Sequence, residues 1–88
     1  MIYHYRLFDQ QCNRYMFTGY NARSRKELTD DYASYKSNDW DNGNEEEGEE
    51  SMRDIWKKMS IKDKMNFIRD DEFTIERRFL LKFKEYEW

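Results

Sequence analysis

The chain has 88 residues, a formal net charge of -3 and no proline, and aromatic residues make up 18% of it. A chain of this length forms one domain, residues 1–88, with too little core to enclose a deep active site. The single cysteine, Cys12, excludes an internal disulfide and points to a reducing compartment. We therefore expect a small cytoplasmic domain whose core is rich in aromatic residues and methionine.

Sequence features of export or membrane insertion are missing. Residues 1–6 contain no basic region followed by an apolar stretch, and no apolar run approaches the roughly 18 residues of a membrane span. We expect a protein that is neither exported nor membrane-spanning.

Two aromatic segments near the N-terminus predict a β-hairpin. Residues 2–8 and 14–20 are rich in β-branched and aromatic side chains, and turn-forming residues at 9–13 separate them. Because neighbouring side chains in a strand point to opposite faces, Tyr3 and Tyr5 share one face.

A capping box predicts the first helix. Ser24 precedes Glu27 by three residues, an arrangement in which each side chain satisfies a backbone donor at a helix start. The pattern predicts a helix over residues 25–36. Helical spacing places Leu28, Tyr32 and Tyr35 on its buried face and Asp30, Asp31 and Ser34 on its outer face.

An acidic segment follows this helix. Residues 37–50 contain turn formers around Trp40 and then a block of glutamates at 45–50 that repels itself, which predicts an exposed and mobile loop. Residues 27–54 hold eleven carboxylates against two cations, a net charge of -9, whereas the flanking segments carry +4 and +2. A field of one sign in the middle of the chain attracts basic partners and raises their rate of encounter.

The C-terminal half predicts two short helices and a strand. Capping boxes begin at Ser51 and Ser60, so the helices meet near residues 59–60. Residues 73–83 alternate between two faces, which predicts one long strand. The expected fold is α+β in the order β-β-α-α-α-β, a three-stranded antiparallel sheet with the helices packed on one face.

Few residues carry catalytic or ligand chemistry. Neither His4 nor Cys12 has a partner at a recognisable catalytic spacing, and the isolated glycines form no phosphate-binding loop. Aligning Gly43 with the invariant glycine of a calcium-binding EF-hand loop puts Trp40 at a ligand position, which argues against such a site. We expect no enzymatic activity, no cofactor and no dedicated metal site.

The acidic middle of the chain is the candidate binding site, and two interpretations of it stand. In one, the charges form a solvated surface that keeps the protein in solution. In the other, they bind a protein surface evolved for phosphates, as a nucleic-acid mimic does, because duplex DNA carries about one charge per 1.7 Å of axis. Trp40 would then anchor the contact. The candidate partner-binding residues are Asp30, Asp31, Asp39, Trp40, Asp41, Glu45, Glu46, Glu47, Glu49 and Glu50.

Two alternative functions use other parts of the chain. An aromatic and basic sheet face can stack the bases of single-stranded nucleic acid while guanidinium groups bind the phosphates. Pairing through the free edge of the strand at residues 73–83 would instead produce a structural, self-assembling protein, a homodimer in its simplest form. The sheet face would comprise Tyr3, Tyr5, Tyr15 and Phe17 with Arg6, Arg14, Arg77 and Arg78.

The general character of the chain resembles that of small accessory proteins from bacteriophages and mobile elements. It is short, acidic, free of proline and rich in aromatic residues, with Asn38-Asp39-Trp40-Asp41 and the glutamates of residues 45–50. Anti-CRISPR and anti-restriction inhibitors are the best-known class among such proteins. The resemblance implies a non-catalytic inhibitor that occupies a basic, nucleic-acid-binding surface of a CRISPR or restriction nuclease complex in the host cytoplasm.

Overall fold

The computed structural model describes residues 3–17, 21–41, 51–80 and 82–87. Within these ranges the protein has three helices and a four-stranded antiparallel sheet, which confirms the predicted α+β class. The elements are β1 (His4–Asp9), β2 (Arg14–Tyr15), α1 (Arg25–Asp41), α2 (Met52–Lys58), α3 (Ile61–Asp70), β3 (Phe73–Arg78) and β4 (Lys84–Glu85).

The sheet has the strand order β2-β1-β3-β4 and one more strand than the sequence predicts. The strand predicted over residues 73–83 ends at Arg78, which pairs with His4, the first residue of β1. A longer β3 would leave backbone donors and acceptors without a partner strand. The chain instead turns back, and β4 pairs with the other edge of β3.

The N-terminal hairpin is shorter than predicted. Strand β2 pairs with β1 only through Arg14 and Tyr15. Phe17 has a positive φ of 53°, a backbone conformation that an extended strand does not contain. The rest of the predicted second strand, at residues 18–20, lies outside the described residues.

Serine side chains begin all three helices, as predicted. The Ser24 hydroxyl accepts a hydrogen bond from the Glu27 amide at 3.0 Å. Ser51 and Ser60 accept equivalent bonds at the starts of α2 and α3, each at 3.1 Å. Each cap satisfies one of the backbone donors that a helix start leaves open.

Helix α1 is five residues longer than the pattern predicts. It continues to Asp41, so residues 37–41, assigned to the acidic loop from the sequence, are helical, and residues 42–50 lie outside the described part of the chain. The extension brings the Trp40 ring to 5.4 Å from the Trp56 ring of α2 and to 6.4 Å from that of Tyr32. This burial of aromatic surface outweighs the low helix propensity of the local sequence.

The core lies between one face of the sheet and the helices, and Tyr32 is at its centre. The Tyr32 ring contacts four other rings, and its hydroxyl donates to the Asp71 carboxylate at 2.7 Å. Tyr35, which the pattern also placed in the core, is 45% exposed, and Thr29 is buried instead. The buried apolar residues are Tyr5, Leu7, Met16, Ala22, Leu28, Tyr32, Trp56, Met65, Ile68, Phe73 and Ile75.

Candidate functional site

Four carboxylates lie along one side of α1. Asp30 and Asp31 lie three and four residues after Glu27, and Asp41 follows Asp30 by about three helical turns, so the four share a face. We call this set the acidic stripe. At 1.5 Å of rise per residue it is about 21 Å long. The sequence pattern placed Asp30 and Asp31 on the outer face and Asp41 in a loop, and only the longer helix aligns all of them.

Asp31 has the most unfavourable surroundings in the acidic stripe. Its Oδ2 atom is buried and has no hydrogen-bond partner within the described residues. Burial raises the pKa of the Asp31 carboxyl group above its ordinary value, and the negative charges of Glu27 and Asp30 raise it further. The ionised form of Asp31 therefore destabilises the folded protein.

Cations of the same chain balance two other members of the stripe. Lys26 Nζ lies 2.8 Å from Asp30 Oδ2, and Arg53 holds Asp41 through two hydrogen bonds of 3.2 and 2.7 Å. All four side chains are well exposed to solvent, so each pair contributes little to stability. A partner that offers better-placed cations can replace such contacts at low energetic cost.

The charges at the two ends of α1 oppose its dipole. A helix favours negative groups in its first turn and positive groups in its last turn. Helix α1 instead begins with Arg25 and Lys26, although Glu27 in the same turn is favourable, and its last turn contains Asp39 and Asp41 but no basic residue. Asp39 is exposed and lies beside the acidic stripe. These positions are electrostatically unfavourable for the isolated helix.

Trp40 packs against the edge of the core and is only partly accessible. Its ring packs against Tyr32 and Trp56, and the residue is half-buried. The accessible part of the ring lines a groove of about 440 Å³ between α1 and α2, together with Asp30 and Arg53. The groove therefore places a carboxylate of the stripe beside the accessible part of an aromatic ring. The remaining predicted residues, Glu45, Glu46, Glu47, Glu49 and Glu50, lie outside the described residues.

The aromatic and basic residues of the alternative sheet site do not form one surface. Tyr5 is buried under the helices, whereas Arg6 and Tyr15 lie on the opposite, open face. There the Arg6 guanidinium is 3.9 Å from the ring centres of both Tyr15 and Phe83, and its Nε donates to Glu76 at 2.7 Å. On the open face, Arg6 is therefore already stacked on two rings and neutralised by Glu76.

A second group of accessible charges combines two residues of the predicted sheet face with two lysines that the sequence did not assign to any site. Around the β3–β4 connection, Lys82 and Lys84 come close to Tyr3 and Arg77. Only the turn between the two strands brings these residues together. A single strand over residues 73–83 would have placed both lysines on the face opposite Arg77.

The described residues contain neither a group of potential metal ligands nor a membrane-spanning helix. Among residues 3–17, 21–41, 51–80 and 82–87, no three His, Cys, Asp or Glu side chains are grouped so as to hold a metal ion. None of the helices in these ranges combines the length and the apolar character needed to span a bilayer.

The chain has no match among the known proteins with which it was compared. No family model, curated protein or solved structure matches the chain. Arguments about function therefore rest on the chemistry of the surfaces themselves.

Proposed function

We propose that the protein is a non-catalytic inhibitor that uses α1 to occupy a basic, nucleic-acid-binding surface of a host protein complex. The partner class we propose is a CRISPR or restriction nuclease in the host cytoplasm, as expected of a phage accessory protein. The observation that carries the proposal is the placement of Asp31 and Asp39 where their charges are unfavourable in the free protein. Residues whose placement lowers the stability of the folded protein are commonly found at functional sites.

Bound cations would relieve each of these unfavourable contacts. An arginine or lysine of the partner next to Asp31 would offset its repulsion by Glu27 and Asp30. Cations at the C-terminal end of α1 would also interact favourably with the helix dipole. Binding energy is gained where the free protein holds unpaired like charges, and a surface that binds phosphates has cations available there.

The charge density of the acidic stripe indicates that it forms part of a larger surface. Four carboxylates over about 21 Å are fewer than duplex DNA offers, at one charge per about 1.7 Å. In the sequence, the glutamates at residues 45–50 follow α1 and would add five charges. We propose that they extend the same contact, with the exposed part of Trp40 at its centre.

The test compares two variants with the same change in net charge. The first replaces Asp30, Asp39 and Asp41 by asparagine, and the control replaces Asp54, Asp63 and Asp70, exposed carboxylates of α2 and α3. Purified CRISPR and restriction nuclease complexes are screened for loss of DNA binding on addition of each protein. We expect stoichiometric inhibition by the wild type and the control, and inhibition at least about tenfold weaker by the first variant.

Two results would contradict the proposal. If the control variant lost inhibition to the same extent, net charge rather than α1 would determine binding. The second would come from lysate pull-downs treated with nuclease. Capture of the same proteins by the wild type and the first variant would show that the acidic stripe serves only to keep the protein in solution.

A further inference from the structure

The end of the sheet beside the β3–β4 connection contains a cleft of about 470 Å³. Its walls combine three rings with three cations, and we call it the basic cleft. The volume lies within the range typical of ligand-binding pockets. The rings belong to Tyr3, Phe79 and Tyr86, and the cations to Arg77, Lys82 and Lys84.

Stacking holds one of the three cations in place. The Arg77 guanidinium lies 4.1 Å from the centre of the Tyr3 ring and 4.2 Å from that of Tyr86. Tyr86 is itself anchored, because its amide donates to the Ile75 carbonyl at 2.7 Å and its carbonyl accepts from Arg69 at 2.9 Å. A cation with this little freedom loses little entropy when it binds an anion.

Among the described residues, the cations of the basic cleft have no carboxylate partner of their own. Within the described residues, no ion pair involves Arg77, Lys82 or Lys84, although Glu85 also lines the cleft. Arg6, by contrast, is neutralised by Glu76 on the open face of the sheet. The basic cleft is therefore a positively charged surface available to an anionic ligand.

Exposed apolar surface lies next to these charges. Phe79 is 42% exposed, with its ring 5.5 Å from that of Tyr3, and Leu80 is 71% exposed. An accessible ring beside unpaired cations provides both of the contacts that an unpaired nucleotide makes, one to its base and one to its phosphate. An acidic peptide offers carboxylates to the cations but a ring to Phe79 only in some sequences, whereas every nucleotide carries a flat base beside its phosphate.

We propose that the basic cleft binds single-stranded nucleic acid, with a base stacked on Phe79 and phosphates at Lys82 and Lys84. The site is separate from the acidic stripe. Through it, a protein proposed to block a nucleic-acid-binding partner would also contact nucleic acid directly. Since free oligonucleotide tests it without that partner, its failure is distinguishable from failure of the proposed function.

The test measures the anisotropy of fluorescein-labelled oligothymidylate of about 12 nucleotides at about 50 mM salt. Lys82→Glu with Lys84→Glu should weaken binding at least about tenfold and reduce the salt slope by about 1.4, since each phosphate contact on a single strand contributes about 0.7. The matched control, Lys57→Glu with Lys62→Glu, changes two exposed lysines of α2 and α3 and should bind within about threefold of the wild type.

The stacking contact has its own pair of variants. Phe79→Ala should weaken binding at least about fivefold, whereas Phe79→Tyr keeps a ring and should bind like the wild type. Equal binding of all three proteins, or binding of duplex as tight as that of the single strand, would overturn the proposal. Absence of binding by the wild type would also overturn it. So would a concentration-dependent mass abolished by Lys82→Glu, because a second copy of the chain would then occupy the cleft.

Discussion

Replacement of Asp39 by asparagine should make the protein more stable. Asp39 lies in the last turn of α1, where the dipole disfavours a negative charge, and it is exposed. Because aspartate and asparagine have similar helix propensities, the substitution mainly removes the charge. The dipole interaction is worth about 0.3 to 1 kcal/mol at low ionic strength. A gain of about 0.5 kcal/mol would raise the Tm of a domain of this size by about 2 to 4 °C.

The matched control for this prediction is Asp63→Asn. Asp63 lies in the first turn of α3, where the dipole favours its charge, so the same chemical change should lower stability. Urea denaturation followed by circular dichroism at about 10 mM and about 1 M salt measures both effects, and both should shrink at high salt because exposed charges are screened. Shifts of the same sign for the two variants, or shifts independent of salt, would refute the reasoning. The Asp39 variant should also inhibit its partner less well.

Three further substitutions test the electrostatics and packing of α1. Asp31→Asn should add about 0.5 kcal/mol to the free energy of unfolding at pH 7 and almost none at pH 3. The pKa of Asp31 is raised in the folded protein, so the wild type loses stability as this carboxyl group ionises with rising pH. Urea denaturation at pH 7 and at pH 3 measures the change in the free energy of unfolding, and an equal gain at both pH values would contradict this prediction. Tyr32→Phe removes a 2.7 Å hydrogen bond to the Asp71 carboxylate. It should reduce the free energy of unfolding by about 1.5 to 3 kcal/mol. A loss below about 0.5 kcal/mol would show that the bond contributes little. Trp40→Ala should cost about 2 kcal/mol in the same measurement, since the ring packs on Tyr32 and Trp56, and an unchanged Tm would assign Trp40 to partner contact alone.

The protein has two surfaces of opposite charge, the acidic stripe along α1 and the basic cleft near the start of this helix. Arg25 Nη1, at the start of the helix, lies 3.5 Å from the hydroxyl of Tyr86, which lines the basic cleft. The last turn contains Asp39 and Asp41. The small net charge is therefore the sum of an acidic and a basic surface, and the proposed contacts with a basic protein and with nucleic acid would use different surfaces.

Local signals in the sequence were sufficient to predict several elements. A serine cap is a short-range contact between residues three apart, so Ser24, Ser51 and Ser60 mark helix starts without information about the rest of the fold. The alternation of residues 73–78 likewise follows from strand geometry alone, and it placed Phe73 and Ile75 on the same face, which the structure shows to be the buried one.

The ends of the elements depended on tertiary structure. Strand β3 ends where its partner β1 begins, at the pair of Arg78 with His4, and no local pattern contains the length of a partner strand. Helix α1 extends past Lys36 because Trp40 packs against Trp56, a residue contributed by another helix. The ends of these elements are therefore determined by tertiary contacts, which override local propensity.

The candidate sites divide in the same way. Composition by itself identified an acidic middle of the chain, because charge is a property of residues and needs no fold. Alignment of Asp41 with Asp30 and Asp31 required the full length of α1, and the basic cleft required the turn that brings Lys82 and Lys84 to Arg77. A site built from residues distant along the chain exists only once backbone pairing has brought them together, and that pairing is decided by the whole sheet rather than by any one segment.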